Sequence, residues 1–195
     1  MTRTRAIPKV QLMSARSARP VILLAACLLL LAGPSVIARA SANEIAEALA
    51  QCQDEDKATE LRARACTFLI TTRSIEDNIR AEALLNRGAV QSEAGDTDAA
   101  IVDFTEAIRL NPQYPAPYSH RAEAYQEKGQ LDLALADLTT VIGLLPDDAD
   151  SYVDRGEVHA LLGNHDSAVA DFRTALKLDP HNDQAREGLR SLGER

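Results

Sequence analysis

Three arginine–aspartate pairs, two cysteines and four histidines are the residues of this chain whose types and intervals could do chemistry. Arg87, Arg121 and Arg155 each precede an aspartate (Asp103, Asp137 and Asp171) by sixteen residues, and successive pairs lie 34 residues apart. A guanidinium facing a carboxylate makes a charge-assisted contact, not a catalyst. The expectation is a structural ladder of ion pairs, formed within or between successive units. The alternative is three solvated surface pairs, worth ~0–1 kcal/mol each. Cys52 and Cys66 are fourteen positions apart, which is not the Cys-x-x-Cys interval of a redox-catalytic pair. Of the histidines, His120, His159, His165 and His181, none has a His or Cys partner at the spacing of a zinc finger or a His-Glu-x-x-His site. His120 is a candidate ligand contact on an inner helical face. His159 stands where Tyr125 stands one unit earlier and reads as a packing residue, and His165 reads as a turn residue. The sequence carries no Gly-rich phosphate loop, Gly-x-Ser-x-Gly elbow or dinucleotide fingerprint. No catalytic residue, metal or cofactor is expected.

The elements that must position these residues repeat at the same interval. The marks Leu84, Gly88, Gly95, Asp98, Ala100, Phe104, Leu110 and Pro112 recur 34 residues later as Tyr118, Ala122, Gly129, Asp132, Ala134, Leu138, Leu144 and Pro146. They recur again as Tyr152, Gly156, Gly163, Asp166, Ala168, Phe172, Leu178 and Pro180. A fixed period of this length predicts stacked helical hairpins, an all-α solenoid. Gly95, Gly129 and Gly163 end the first helix of each hairpin, where a positive φ suits Gly. Asp98, Asp132 and Asp166 are expected N-caps of the second helix, and Pro112, Pro146 and Pro180 follow its end. The small residues Gly88, Ala122 and Gly156 let two helices approach, with Phe104, Leu138 and Phe172 filling the space beside them.

The ends differ from the middle. Residues 1–40 hold six Lys/Arg and no acid, then the apolar run Val21–Ala32 and the small-residue sites Ala38-x-Ala40 and Ala40-x-Ala42. That is the layout of a secretory signal peptide, with cleavage expected after Ala40 or Ala42 and a periplasmic or secreted product. Two alternatives stand: an uncleaved anchor through residues 21–38, or lipidation of Cys27 in Leu24-Ala25-Ala26-Cys27. The whole chain carries 21 basic and 29 acidic residues; without the six leader bases, 15 oppose 29, net −14 for residues 41–195. Such a surface argues against nucleic acid and anionic lipid and for neutral or basic partners, the alternative being that the charge serves only solubility. Membrane association is expected only with a retained leader or a lipidated Cys27.

Residues 41–78 read as a degenerate opening hairpin, with a short helix over Asn43–Gln51, a polar break from Cys52 to Asp56 and a helix over Lys57–Thr72. Within it Cys66-Thr67-x-x-Ile70 resembles Phe104-Thr105-x-x-Ile108. In an exported chain Cys52 and Cys66 are the remaining cysteines, which favours a disulfide between them. Residues 52–56 would then run back in extended form beside the second helix, about 17 Å of strand against about 15 Å of helix. The alternative is two thiols, Cys66 in the core and Cys52 at the surface. After Pro180, Ala185, Leu189 and Leu192 share one face of an amphipathic stretch that reads as a solvating end helix.

From Ala81 to Pro180 the pattern resembles the tetratricopeptide repeat, a 34-residue helix–turn–helix unit. The resemblance implies repeats over residues 81–114, 115–148 and 149–182, with a capping helix over 183–195. The chain departs from the family where a Leu usually precedes the small residue of the first helix; Arg87, Arg121 and Arg155 stand there instead. Residues 41–78 also look like the opening segment of small exported bacterial proteins with short arrays of this repeat. In the family the first helices line a concave, partner-binding face. Carried over by position, that face comprises Glu82, Leu85, Asn86 and Ala89, then Ala116, Ser119, His120, Glu123 and Gln126, then Asp150, Val153, Asp154, Glu157 and Ala160. Family members that grip a C-terminal carboxylate do so with Lys, Arg and Asn; here Leu85, Asp150 and Asp154 stand instead, which disfavours that peptide class. The function so implied is a non-catalytic protein-binding scaffold of the bacterial envelope with an acidic groove. The alternatives are an accessory enzyme subunit with weak hydrolase or redox activity and a self-assembling structural module.

Overall fold

A computed structural model describes residues 40–54 and 56–194. Among them lie nine helices and no strand: α1 (Ala42–Gln53), α2 (Thr59–Thr71), α3 (Asp77–Glu93), α4 (Thr97–Leu110), α5 (Ala116–Glu127), α6 (Leu131–Leu144), α7 (Ala149–Leu161), α8 (His165–Leu178) and α9 (Asp183–Ser191). Each helix packs on its sequence neighbour, so α1/α2, α3/α4, α5/α6 and α7/α8 form hairpins, and each hairpin leans on the next. First helices also touch across hairpins, α1 on α3, α3 on α5 and α7 on α9. The result is the all-α solenoid that the period predicts. The proposed leader, the 21–38 span and Cys27 lie outside the described residues. No helix among the described residues is long and apolar enough to cross a membrane.

The period works through size matching. A methyl group added at Gly88 would stand 2.5 Å from the Phe104 ring, and one at Gly156 would stand 2.8 Å from the Phe172 ring. Where the filler is the smaller Leu138, the helix facing it keeps a methyl, at Ala122. The core is therefore a series of linked clusters, each shared by two hairpins. Phe104 packs with Leu85 and Ala124, Leu138 with Ala122 and Val158, and Phe172 with Val153, Ala185 and Leu189.

The turns correct the expected caps. Gly95 has φ 82°; its N–H donates to the Ser92 carbonyl at 2.9 Å, and the Asp96 N–H donates to the Gln91 carbonyl at 2.8 Å. That double closure makes Asp96 the last residue of one helix stop and the N-cap of the next helix, where its side chain accepts from the Ala99 N–H. The N-caps are thus Asp96, Gln130 and Asn164, not Asp98, Asp132 and Asp166. Those three aspartates fall inside the first turn, where the positive helix end favours an acid. His165 likewise opens α8 and does not sit in a turn.

The opening hairpin also differs in detail from the expectation. Cys52 lies in the last turn of α1, not in a polar break, and the bridge needs no extended return. Cys52 and Cys66 are disulfide-bonded with Cα atoms 4.9 Å apart. Both are wholly buried among Ala48, Ala65, Leu69, Ile75 and Ala83. At its other end the helix starts at a reciprocal capping box: the Glu44 N–H donates to Ser41 Oγ at 3.2 Å, and the Ser41 N–H donates to Glu44 Oε2 at 2.6 Å.

Candidate functional site

Two sets of acidic side chains sit on opposite sides of the first helices. The first set is carried by the second helices and faces arginines of the first. Arg87 donates from Nε and Nη2 to the two oxygens of Asp103 at 2.7 and 2.8 Å. Arg121 holds Asp137 in the same way at 2.8 and 2.7 Å, and Arg155 holds Asp171 at 2.9 and 2.7 Å. The three carboxylates are only 5%, 8% and 8% exposed, so these are interior pairs and not solvated surface contacts. Pairing is within a hairpin, and for Arg87 and Arg121 a third contact ties it to the hairpin before. Arg87 Nη1 donates to Thr67 Oγ1 of α2 at 3.1 Å, and Arg121 Nη1 donates to Thr105 Oγ1 of α4 at 2.9 Å. Hydrogen bonding to Asp137 is the largest influence holding the Arg121 guanidinium above its ordinary pKa, and Asp103 and Asp171 act likewise on Arg87 and Arg155. Tyr118 and Tyr125 flank the Arg121 guanidinium at 5.9 and 5.7 Å. His159, at the position of Tyr125, instead brings Nε2 to 4.0 Å from Asp171.

The second set lies on the face expected to bind a partner. Its residues do not all behave alike. Leu85 and Val153 are buried in the core and line nothing. Glu82 is engaged, accepting from Gln53 Nε2 of α1 at 2.7 Å. The His120 ring stacks on Phe104 with centroids 5.6 Å apart, and its Nδ1 lies 3.4 Å from Glu123. Asp150 accepts from Asn182 Nδ2 at 3.0 Å. Asn86, Ser119, Gln126 and Asp154 are half-buried, whereas Glu123 and Glu157 are exposed. The structure thus brings Glu123, Asp150, Asp154 and Glu157 together around α5 and α7, with Glu82 set apart by its bond to α1.

Asp154 is the centre of that group. Its burial, then the charges of Glu157, Glu123, Asp150 and Asp148, push its pKa up from the ordinary carboxylate value to about 6. No lysine or arginine lies in ion-pair contact with Asp154, Asp150, Glu123 or Glu157 among the described residues. Such a group attracts cations and repels anions. It holds no nucleophile–base pair, and no set of His, Cys, Asp and Glu capable of holding a metal occurs among the described residues.

Position-by-position carry-over stopped at the third unit and so missed the far wall. Beyond α7 the face continues onto α9 through Gln184, Glu187, Gly188 and Ser191, which line an open notch with Glu157, Ala160, Leu161 and Phe172. Adding 34 to Asp154 reaches Gly188, so a signal for this wall was present.

The geometry agrees with known proteins. The family description "Tetratricopeptide repeat" matches residues 81–114 and 122–192, together more than half of the chain. Among curated proteins none matches significantly. Among solved structures, the chain is similar to the Arabidopsis OM64 TPR domain, 28% identical with TM-score 0.57, over 60% of this chain and 97% of that one. It is also similar to the second TPR domain of human RPAP3 in complex with the HSP70 peptide SGPTIEEVD, 27% identical with TM-score 0.55, over 61% and 97% of the two chains. A tetratricopeptide repeat protein from Parabacteroides merdae, 21% identical, shares the fold with TM-score 0.70 over 77% of this chain and 59% of its own.

Proposed function

This chain belongs to the tetratricopeptide repeat family, whose domains mediate protein–protein interaction, and from that premise we propose that it is a non-catalytic scaffold of the bacterial cell envelope, binding a neutral or basic protein segment along the acidic face of α5 and α7. The observation that carries this reading is the unpaired acid around Asp154. A lysine or arginine brought there relieves like-charge repulsion and completes an ion pair, which favours basic segments over acidic ones. The HSP70 peptide bound by the human RPAP3 domain carries three acidic side chains in SGPTIEEVD; a peptide of that kind meets like charge here.

The alternatives draw less support. A redox role would need accessible thiols, and Cys52 and Cys66 are bonded and wholly buried. Open end-to-end stacking would need an apolar terminal face, but α9 turns Asp183, Arg186, Glu187 and Arg190 outward. The envelope assignment rests on the basic leader, its apolar run and its small-residue sites. Cleavage after Ala40 would preserve the capping box of α1, whereas cleavage after Ala42 would remove Ser41 and with it both of its bonds. A photo-crosslinking residue at Gln126 tests the reading in envelope extract. The expected result is a discrete adduct that disappears at high salt and is not formed from the same probe at Thr140 on α6. Equal labelling from both positions would remove the acidic face from the argument.

A further inference from the structure

The last hairpin, α7/α8, and the helix α9 after it break the pattern of α3/α4 and α5/α6 on the binding face, at two positions that meet in one notch. At the positions of Asn86, His120 and Asp154 the next helix presents Gly188. A methyl group there would stand 2.5 Å from the Phe172 ring, so the ring claims the space beside α9 and the face is left without a side chain. At the positions of Glu93 and Glu127 the last hairpin presents Leu161, which is 66% exposed. Its two polar counterparts are engaged: Glu93 pairs with Arg62, and Glu127 accepts from Thr97 Oγ1 at 3.1 Å. Leucine in place of glutamate makes no such bond and leaves apolar surface in water. Leu161, Ala160, Phe172 and Gly188 thereby bound an open notch of about 510 Å³ between α7 and α9. Glu157, Gln184, Glu187 and Ser191 complete its lining; Glu187 is paired with Arg190 at 2.7 Å, while Glu157 makes no ion pair among the described residues.

We propose that this notch receives one leucine-sized side chain of a partner polypeptide whose lysine or arginine, about three residues away, pairs with Asp154 and Glu157. The assignment rests on the scaffold reading and narrows it to a segment class. Charge complementarity selects the occupant: the notch is apolar, and the unpaired charges beside it are negative. The spacing follows from α7. Asp154 and Leu161 are seven residues apart on one helix, about 10 Å along its axis at 1.5 Å per residue. An extended segment covers that distance in about three residues. The segment thus carries an apolar anchor that excludes water and a charge that sets its register, as a short docking motif does.

Three twelve-residue amidated peptides on an Ala/Ser background test it. One carries Leu and Lys three residues apart, one replaces that Lys with Glu, and one replaces that Leu with Ala. Each is titrated into the isotope-labelled full chain while backbone amide resonances are followed. The Leu/Lys peptide is expected to shift the amides of Leu161, Gly188 and Asp154 and to bind at least tenfold tighter than either control. Leu161→Glu restores the residue of the earlier hairpins, keeps the rest of the spectrum, and is expected to weaken binding at least tenfold. Shifts confined to α3 and α5 and untouched by Leu161→Glu would overturn the notch and leave the scaffold reading standing. The absence of shifts with all three peptides also overturns the notch, whereas the scaffold reading falls only if the Gln126 crosslink fails as well.

Discussion

Asp137 and Asp154 are both carboxylates half a hairpin apart, yet their surroundings have opposite design. Asp137 receives two N–H groups of Arg121 and is 8% exposed. Asp154 is half-buried among Glu157, Glu123, Asp150 and Asp148, with no Lys or Arg paired to it among the described residues. The first arrangement satisfies an interior charge completely; the second holds like charges together at a cost in stability. A solenoid stabilised only by neighbour contacts tolerates such a cost locally, because each hairpin depends mainly on the two beside it. The difference separates groups that hold the stack together from groups that wait for something outside it.

The sharpest way to break this contrast is Arg121→Met. It leaves Asp137 buried without a donor, and the expected loss is ~3–5 kcal/mol in urea unfolding, little changed by salt because interior pairs are poorly screened. Unfolding unaltered by the change would put the ladder in the same class as surface pairs. Asp154→Asn is expected to act in the other direction and more weakly. The folded-state pKa, about 6, lies above the ordinary aspartate value near 4, so folding binds the proton more tightly. Stability from this group is therefore gained as pH falls from about 6 to about 4 and is missing above. Removing the charge should stabilise the protein at pH 7 by about 1 kcal/mol after allowing for solvent screening, with the gain gone by pH 4 in parallel melts. A loss at pH 7 would mean that Asp154 has a cationic partner within the fold. Glu157→Gln, at an exposed site, should change stability by less than about 0.5 kcal/mol while weakening the basic crosslinked partner. An effect on folding as large as that of Asp154→Asn would erase the distinction between centre and rim.

The period made much of this legible. Spacing alone located the hairpins, the positive-φ glycines at 95, 129 and 163, and the recurrence of Arg with Asp sixteen residues later. It misplaced the N-caps by two residues because one residue, Asp96 in the first unit, ends a helix stop and begins the next helix at once. That economy depends on hydrogen bonds which residue types do not reveal. It included Leu85 and Val153 in the binding face because one residue along a helix turns a side chain by about 100°, enough to move it from groove to core. The bond from Gln53 to Glu82 crosses from the irregular hairpin into the regular array, where no period applies. The notch escaped notice because its far wall is α9, which follows the last Pro and reads as a mere cap. What identifies it is the loss of a side chain at Gly188 and the gain of one at Leu161.

The sulfur atoms of Cys52 and Cys66 lie where no solvent reaches. A reducing thiol must approach along the axis of the bond it attacks, so it must wait until the first hairpin lifts from Ile75 and Ala83 or unfolds locally. The lifetime of the bridge is then limited by the opening of that one hairpin. Once sealed, the first hairpin keeps its bond for as long as it stays closed.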